Sequence, residues 1–116
     1  MPKLPNAANA IVELGKLTYY SLNLEHRRGR EKARLFRSML GIEATDAPAL
    51  RDALLDAART LEAIEHEGNE CGTGYMIEFE MSWEGRRAIL RSIWFVRAGE
   101  DVPRLVSCFP LTGRRP

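Results

Sequence analysis

Apolar side chains recur every three or four positions in the first part of the chain. This spacing predicts two short helices, over 16–24 and 30–40, because helical residues three and four apart share one face. Gly41 follows the second pattern and is a natural left-handed helix end. This part of the chain is therefore predicted to be helical, with its apolar stripes packed into a common core.

A third, longer helix is predicted over 46–67. Asp46 suits the N-cap, Pro48 suits the first turn, and Gly68 is expected to end the helix. Its apolar face consists of residues at helical spacing: Leu50, Ala53, Leu54, Ala57, Ala58, Leu61 and Ile64. The opposite face is charged and mainly acidic, so we expect it to contact water or a basic partner.

Beyond this helix the period of the pattern changes to two, which is typical of β-strands. Apolar and polar residues alternate over 75–82, and Glu84-Gly85 fits a two-residue hairpin turn. Residues 87–96 are apolar on nearly both faces and predict a central strand, and a last strand follows over 104–109. The fold class is therefore α+β, with N-terminal helices packed on an antiparallel meander sheet of three to four strands.

The predicted hairpin fixes which residues of its two strands face each other. It places Glu78 directly opposite Arg91, a lone charge within an otherwise apolar strand. An arginine on an exposed sheet face can clamp a phosphate, and it can equally form a cross-strand ion pair with Glu78. Arg104 and Ser107 lie on the last strand, where one register puts Ser107 on the same face as Arg91.

Length and composition describe one soluble globular domain. The 116 residues, 45% hydrophobic and 28% charged, fit a single domain over 1–116, with loosely ordered ends over 1–10 and 112–116. Apolar runs are too short for a membrane span or a signal peptide, which favours a cytoplasmic protein. Two cysteines, Cys71 and Cys108, exclude a disulfide scaffold and a four-cysteine zinc site.

The net charge of +1 conceals a segregation of charge along the chain. Residues 1–42 carry a net charge of +5, residues 43–80 a net charge of −8, and residues 81–116 a net charge of +4. If the two basic segments meet in the fold, one face can attract a polyanion while the acidic segment attracts a basic partner. A mosaic of solvated charges is the alternative interpretation.

Candidate chemistry centres on His26, since the sequence has no phosphate-binding loop, dinucleotide-binding turn or zinc-protease motif. Positive neighbours disfavour the protonated imidazole, so this ring is expected to act as a base near neutral pH. The N–H groups at the following helix start, next to Gly29, can receive a phosphate. The basic neighbours are Arg27, Arg28, Arg30, Lys32, Arg34 and Arg37. A loop histidine that caps the helix is the alternative.

Two segments resemble a bacterial domain family of unknown function. One is His-x-x-Gly-x-x-Lys-Ala-x-x-Phe over 26–36, and the other is Pro-Arg-Leu-Val-Ser over 103–107. The first is similar to a pattern in toxin domains of the barnase, EndoU, colicin and RelE-like ribonuclease group. That resemblance implies N-terminal helices followed by a four-stranded antiparallel sheet. It also implies cleavage of RNA without a metal ion, in toxin–antitoxin or contact-dependent systems.

The resemblance further implies a set of site residues. His26 is the acid or base, Lys32 stabilises the scissile phosphate, and Arg91 and Ser107 are their partners on the sheet. Further contacts to RNA come from five residues: Arg27, Arg28, Gly29, Arg30 and Arg104. The chain departs from the family pattern at Arg27, where a proline is usual, and at Phe109, where a tyrosine is usual. Phe109 can donate neither a proton nor a hydrogen bond.

The favoured interpretation is a metal-independent endoribonuclease toxin that cleaves RNA by attack of the ribose 2′-OH on the adjacent phosphorus. Its partners are then RNA, with tRNA as one candidate, and a cognate antitoxin or immunity protein. No membrane, metal ion or cofactor is expected. A non-catalytic protein-binding module that uses the acidic helix over 46–67 is the first alternative. RNA binding without cleavage is the second.

Overall fold

A computed structural model describes residues 3–113 of the protein, apart from the side chain of Glu67. Helix α1 (Leu14–Lys16) continues directly into a π-helical turn over Leu17–Ser21. The remaining α-helices and the strands follow in chain order: α2 (Arg30–Leu40), α3 (Ala47–Thr60), β1 (Ile64–Asn69), β2 (Gly72–Trp83), β3 (Arg86–Arg97) and β4 (Arg104–Pro110). The strands form one four-stranded antiparallel sheet in the order β1-β2-β3-β4. The α+β class, with helices preceding a meander, is confirmed.

Helices α2 and α3 bury their apolar stripes in the core, as their spacing predicts. Helix α2 ends at Gly41, whose φ of 76° is left-handed. The sheet contributes every second residue of its strands to this core, including the fully buried Trp94. The one buried hydroxyl beside it, that of Ser92, donates to the carbonyl oxygen of Ile77 and accepts from Nε1 of Trp94. The core therefore satisfies these polar groups within the sheet.

The hairpin between β2 and β3 has the predicted register. Glu84 and Gly85 have φ angles of 49° and 80°, as a tight two-residue turn requires, and Glu78 lies opposite Arg91. Strand β4 then pairs Phe109 with Arg91 and Ser107 with Ile93. Paired residues share a face, so Ser107 and Arg91 lie together on the face turned away from the core, which we call the open face.

The predicted third helix is too long. Helix α3 ends at Thr60, Leu61 is extended with ψ at 160°, and Ile64–Asn69 form strand β1 at the sheet edge. Pairing with β2 gives this segment backbone hydrogen bonds that outweigh the helical spacing of Leu61 and Ile64. The acidic helix predicted over 46–67 is therefore a shorter helix followed by an acidic edge strand.

The N-terminal segment is attached to the fold. Leu4 is buried in the core, and Lys3 forms an isolated antiparallel bridge with Glu62. Residues 1–2 and 114–116, for which loose ends were also predicted, lie outside the described residues. Among residues 3–113, no helix has the length and apolar character needed to cross a membrane.

Candidate active site

The start of helix α2 is docked against the preceding turn at Gly29. A Cβ atom here would collide with the carbonyl oxygen of Tyr20, so no side chain fits. The sequence predicts Gly29 as a point where the backbone approaches a phosphate, but the residue is buried and Tyr20 fills its free side. Gly29 therefore allows the π-helical turn that contains Tyr20, which we call the Tyr20 turn, to pack against the start of α2. This role differs from the predicted one, the approach of a phosphate to the backbone.

The side chain of His26 holds the turn that leads into the same helix. Its Nδ1 accepts the backbone N–H groups of Arg28 and Gly29, each at 3.0 Å. Both N–H groups belong to the turn immediately before α2, so the side chain of His26 fixes the entry to the helix, while the N-cap position of α2 itself has no side-chain hydrogen bond. An Nδ1 that accepts places the hydrogen of the neutral ring on Nε2, so this ring offers a donor to a ligand. The catalytic role of His26 stays a prediction.

Lys32 reaches from α2 to β4. Its Nζ donates a hydrogen bond of 2.6 Å to Oγ of Ser107, 75 residues away in the chain. Ser107 lies on the open face, since the adjacent Cys108 is fully buried in the core, so Lys32 extends past the edge of β4. Because Ser107 accepts from Lys32, its own hydroxyl hydrogen is directed elsewhere and can bind an anion.

Two aromatic rings flank the Lys32 ammonium. Its Nζ lies 5.4 Å from the ring centre of Tyr20 and 5.5 Å from that of Phe109, within the range of cation–π attraction. The Tyr20 ring also meets the His26 ring edge-on, with 4.7 Å between the centroids. These contacts join five residues into one group, which we call the Lys32 cluster: Tyr20, His26, Lys32, Ser107 and Phe109.

Sequence reasoning missed Tyr20 as a member of this group. The apolar pattern assigns it to the buried stripe of a helix over 16–24, but the ring is only half-buried and faces Lys32. No local signal identifies this role, because the π-helical turn that presents the ring is not predictable from spacing.

Arg91 borders the Lys32 cluster through Phe109, its neighbour across the strands. Its Nε and Nη2 donate to one carboxylate oxygen of Glu78, at 2.8 and 2.6 Å. The cross-strand ion pair is therefore confirmed. A phosphate contact by Arg91 would share its guanidinium with Glu78, and that contact stays a prediction.

Arg104 lies on the far side of Ser107 from Phe109, opposite Phe95. Its Nη2 is 3.9 Å from a carboxylate oxygen of Glu100. Its Nε is buried and has no hydrogen-bond partner among the described residues. Arg104 is therefore on the correct face to support a ligand bound at Ser107, but no side-chain hydrogen bond or ion pair joins it to the residues of the cluster.

Positive charge is concentrated around the start of α2, in the preceding turn and at the first helical residue. Three arginines there are exposed: Arg27, Arg28 and Arg30. Within residues 3–113 none of the three belongs to an ion pair, whereas Arg34, one turn further on, pairs with Glu31. The N-terminal end of the helix dipole adds to this charge, so the surface beside His26 favours an anion.

Cys108 closes the core beneath the Lys32 cluster. Burial raises the pKa of its thiol from 9.0 to about 12. A hydrogen bond with Ser21 and the positive charges of Lys32 and Lys16 lower the pKa, but burial has the larger effect. The thiol is therefore neutral at physiological pH and packs rather than reacts. In the part of the chain that the structure describes, no three histidine, cysteine or acidic side chains are grouped to hold a metal ion.

Comparisons with known proteins agree with this geometry at the level of the fold. A contact-dependent growth inhibition toxin–immunity protein complex from Klebsiella pneumoniae 342 contains a chain of similar structure, with a TM-score of 0.67 and 18% sequence identity. The similarity covers 92% of this chain and 97% of that one. No curated protein matches the sequence. The family described as "Domain of unknown function (DUF6883)" matches residues 3–112, and the chain therefore belongs to this family.

Proposed function

We propose that the protein is a metal-independent endoribonuclease of the toxin class. The observation that carries the proposal is the contact of Lys32 with Ser107 beside the arginine-rich start of α2. It brings a cation and a hydroxyl donor to one point on the open face, next to exposed positive charge. This arrangement suits a phosphodiester, whose cleavage depends on stabilising charge on the phosphoryl oxygens.

The proposed reaction begins when the ribose 2′-OH attacks the adjacent phosphorus. The P–O2′ bond forms as the 2′ proton passes to solvent, and the P–O5′ bond breaks to leave a cyclic phosphate. Lys32 and the free hydrogen of the Ser107 hydroxyl stabilise the charge that develops on the non-bridging oxygens, with Arg91 and Arg104 as supporting cations. The exposed arginines at 27, 28 and 30 attract the strand.

His26 is proposed to act on the departing oxygen. Its Nε2–H can donate to the 5′-oxygen as that atom gains negative charge, since a neutral imidazole can polarise such an oxygen. The proton that the 5′-oxygen takes is returned to the ring by solvent. The role predicted from sequence, acid or base, is thereby narrowed to that of a donor through Nε2.

A cognate immunity protein is the proposed protein partner. The similar Klebsiella structure is a toxin–immunity protein complex, which motivates this partner but does not locate it. The non-catalytic alternative now rests on α3, β1 and the residues that flank β1, where five acidic residues are exposed: Asp52, Asp56, Glu62, Glu65 and Glu70. A protein that binds there without any cleavage of RNA would favour this second function.

The test is cleavage of total bacterial RNA by the purified protein in EDTA. Wild type should produce fragments with cyclic phosphate ends, and Lys32→Met should reduce the rate by about 100-fold or more, since it removes the charge while keeping the chain length. Lys3→Met is the matched control, because this exposed lysine lies outside the cluster. Intact RNA after incubation with wild type, or equal rates for wild type and Lys32→Met, would refute the proposal.

A further inference from the structure

A cavity borders the Lys32 cluster. Its volume is about 370 Å³, and it is lined by Lys16, Tyr20 and Val106. Val106 is the residue next to Ser107 on β4, and the ring of Tyr20 faces Lys32, so the cavity adjoins the proposed reaction centre. The mechanism above makes no use of Lys16.

Lys16 is the cation of this cavity. It ends α1, is half-buried, and belongs to no ion pair among residues 3–113. The positive charges of Lys16 and Lys32 both lower the pKa of the buried Cys108 thiol, so both lysines lie near the same part of β4. A half-buried lysine that faces a cavity without a carboxylate is arranged to attract an anion.

Tyr20 lines the same cavity. Its ring is held by the contacts with His26 and Lys32. The phenol makes no hydrogen bond to the residues that the structure describes, so it remains available to a ligand. An ammonium and a phenol together can donate to two oxygens of one phosphate, while Val106 offers an apolar surface for the attached ribose.

We propose that Lys16 and Tyr20 form a subsite for the phosphate that neighbours the scissile one. The inference rests on the proposed function, because it assumes that the scissile phosphate binds at Lys32 and Ser107. It narrows the substrate to RNA strands with at least two consecutive phosphates, which occupy adjoining positions along the edge of β4. A dinucleoside monophosphate would fill only the reaction centre and should bind more weakly.

The experiment measures binding of dUpdA, which lacks a 2′-OH and is not cut, in forms with a 5′-phosphate, a 3′-phosphate or neither. One phosphorylated form should bind wild type about tenfold more tightly, as expected for a charge-assisted contact. For this form, the slope of the logarithm of the dissociation constant against the logarithm of salt concentration should be steeper by about 0.7. This is the value for one further phosphate contact on a single strand. Lys16→Ala should abolish the gain and the extra slope, and Lys3→Ala should keep both.

Tyr20→Phe separates the hydroxyl from the packing of the ring. It should remove part of the gain in affinity that the added phosphate gives, while Lys3→Ala should keep the whole gain. Equal affinity of wild type for all three forms would overturn the subsite, and so would a gain that persists in Lys16→Ala. Inorganic phosphate that binds as tightly as phosphorylated dUpdA would also overturn it, since the site would then select a free anion.

A cleavage assay tests the proposed function separately from the binding of dUpdA. Ribonucleotide UpA and its phosphorylated forms, tested in parallel, report cleavage. Binding with the predicted gain but without any cleavage would refute the ribonuclease while leaving the phosphate subsite in place.

Discussion

At the scale of single residues, His26 combines a structural role with a proposed chemical one. Asparagine can separate them, because its Oδ1 can replace Nδ1 as the acceptor for the N–H groups of Arg28 and Gly29 but leaves no donor at Nε2. We expect His26→Ala to lose about 1 kcal/mol in the free energy of unfolding, and His26→Asn to lose much less. Both should lose RNA cleavage.

Urea denaturation and the EDTA cleavage assay measure these two effects on the same preparations. A His26→Asn variant that is stable and cleaves RNA at the wild-type rate would show that the ring only stabilises the turn before α2. A variant that is stable and inactive would assign the loss to Nε2.

Cys108 gives a prediction about pH. Its pKa is raised from 9.0 to about 12, so the folded protein retains the thiol proton over a range in which the unfolded chain loses it. The stability contributed by this group is complete below pH 9 and declines as pH rises towards 12. The slope is about 1.4 kcal/mol per pH unit for one proton. Urea denaturation between pH 8 and about 10.5 should show this decline in wild type and a shallower one in Cys108→Ala.

Other groups titrate in the same range, so the difference between wild type and Cys108→Ala is the informative quantity. Parallel curves for the two proteins would contradict the buried, neutral thiol. Exposed Cys71 provides an internal control, since it should react with a thiol reagent in the folded state while Cys108 should not.

At the scale of elements, the docking of the Tyr20 turn on α2 depends on the missing side chain of Gly29. An alanine Cβ would strike the carbonyl oxygen of Tyr20, and backbone cannot yield as easily as a flexible side chain. We expect Gly29→Ala to destabilise the protein by about 2 kcal/mol or more, and to reduce RNA cleavage because Tyr20 and His26 are displaced. Thermal unfolding and the cleavage assay measure both.

Gly15→Ala is the matched control for this substitution. Its added Cβ would lie 3.7 Å from the Tyr19 ring, an ordinary contact, and alanine is the better helix former. This variant should be as stable as wild type or more so. A Gly29→Ala protein with wild-type stability would show that the turn relaxes freely around the new methyl group.

The elements that the sequence predicts correctly are those in which local pattern and tertiary packing agree. Helix α2 has a continuous apolar stripe and a glycine end, and the β2–β3 hairpin has alternation and a turn that demands positive φ. The 61–69 segment is different, because Leu61 and Ile64 keep helical spacing and glutamates favour helices. This segment is a strand because it pairs with the edge of β2, and local sequence patterns do not predict that tertiary pairing.

The candidate site was predictable to a smaller extent. The pairing of Arg91 with Glu78 follows from the hairpin register, which the turn residues determine. The contact of Lys32 with Ser107 was implied only by the resemblance, because the bulge at Val106 sets the face of Ser107 and the loop before β4 leaves the register open. The role of Gly29 depends on a distant carbonyl group and has no local signal.

At the scale of the whole molecule, the order of the strands in the sheet keeps the acidic segment of the chain away from the basic segments. Strands β1 and β4 lie at opposite edges of the sheet, so acidic β1 is remote from the edge where Lys32 contacts Ser107. The two basic segments of the chain meet in that contact and again where Arg86 donates to the carbonyl oxygen of Ser38. The basic face and the acidic face that the charge segregation allows therefore have a structural basis. Each face is suited to a partner of opposite charge.

This separation predicts how RNA binding responds to salt. Replacing Arg27, Arg28 and Arg30 together with glutamine removes three exposed charges from the basic edge. If each contacts a phosphate of a single strand, the log–log dependence of the dissociation constant on salt concentration should become shallower by about 2, since each contact contributes about 0.7. Binding of a 2′-deoxy oligonucleotide, measured by fluorescence anisotropy from 50 to about 300 mM salt, tests this value.

The control carries the same loss of charge at positions away from the start of α2. Arg59, Arg87 and Arg97 are exposed and lie on α3 and β3, and their replacement with glutamine lowers the net charge by an equal amount. If RNA contacts the arginines near the start of α2, the slope of the dissociation constant against salt concentration should be near that of wild type for this control. Equal changes of slope in the two triple variants would show that the strand responds to net charge alone, and the basic edge would then not be the RNA-binding surface.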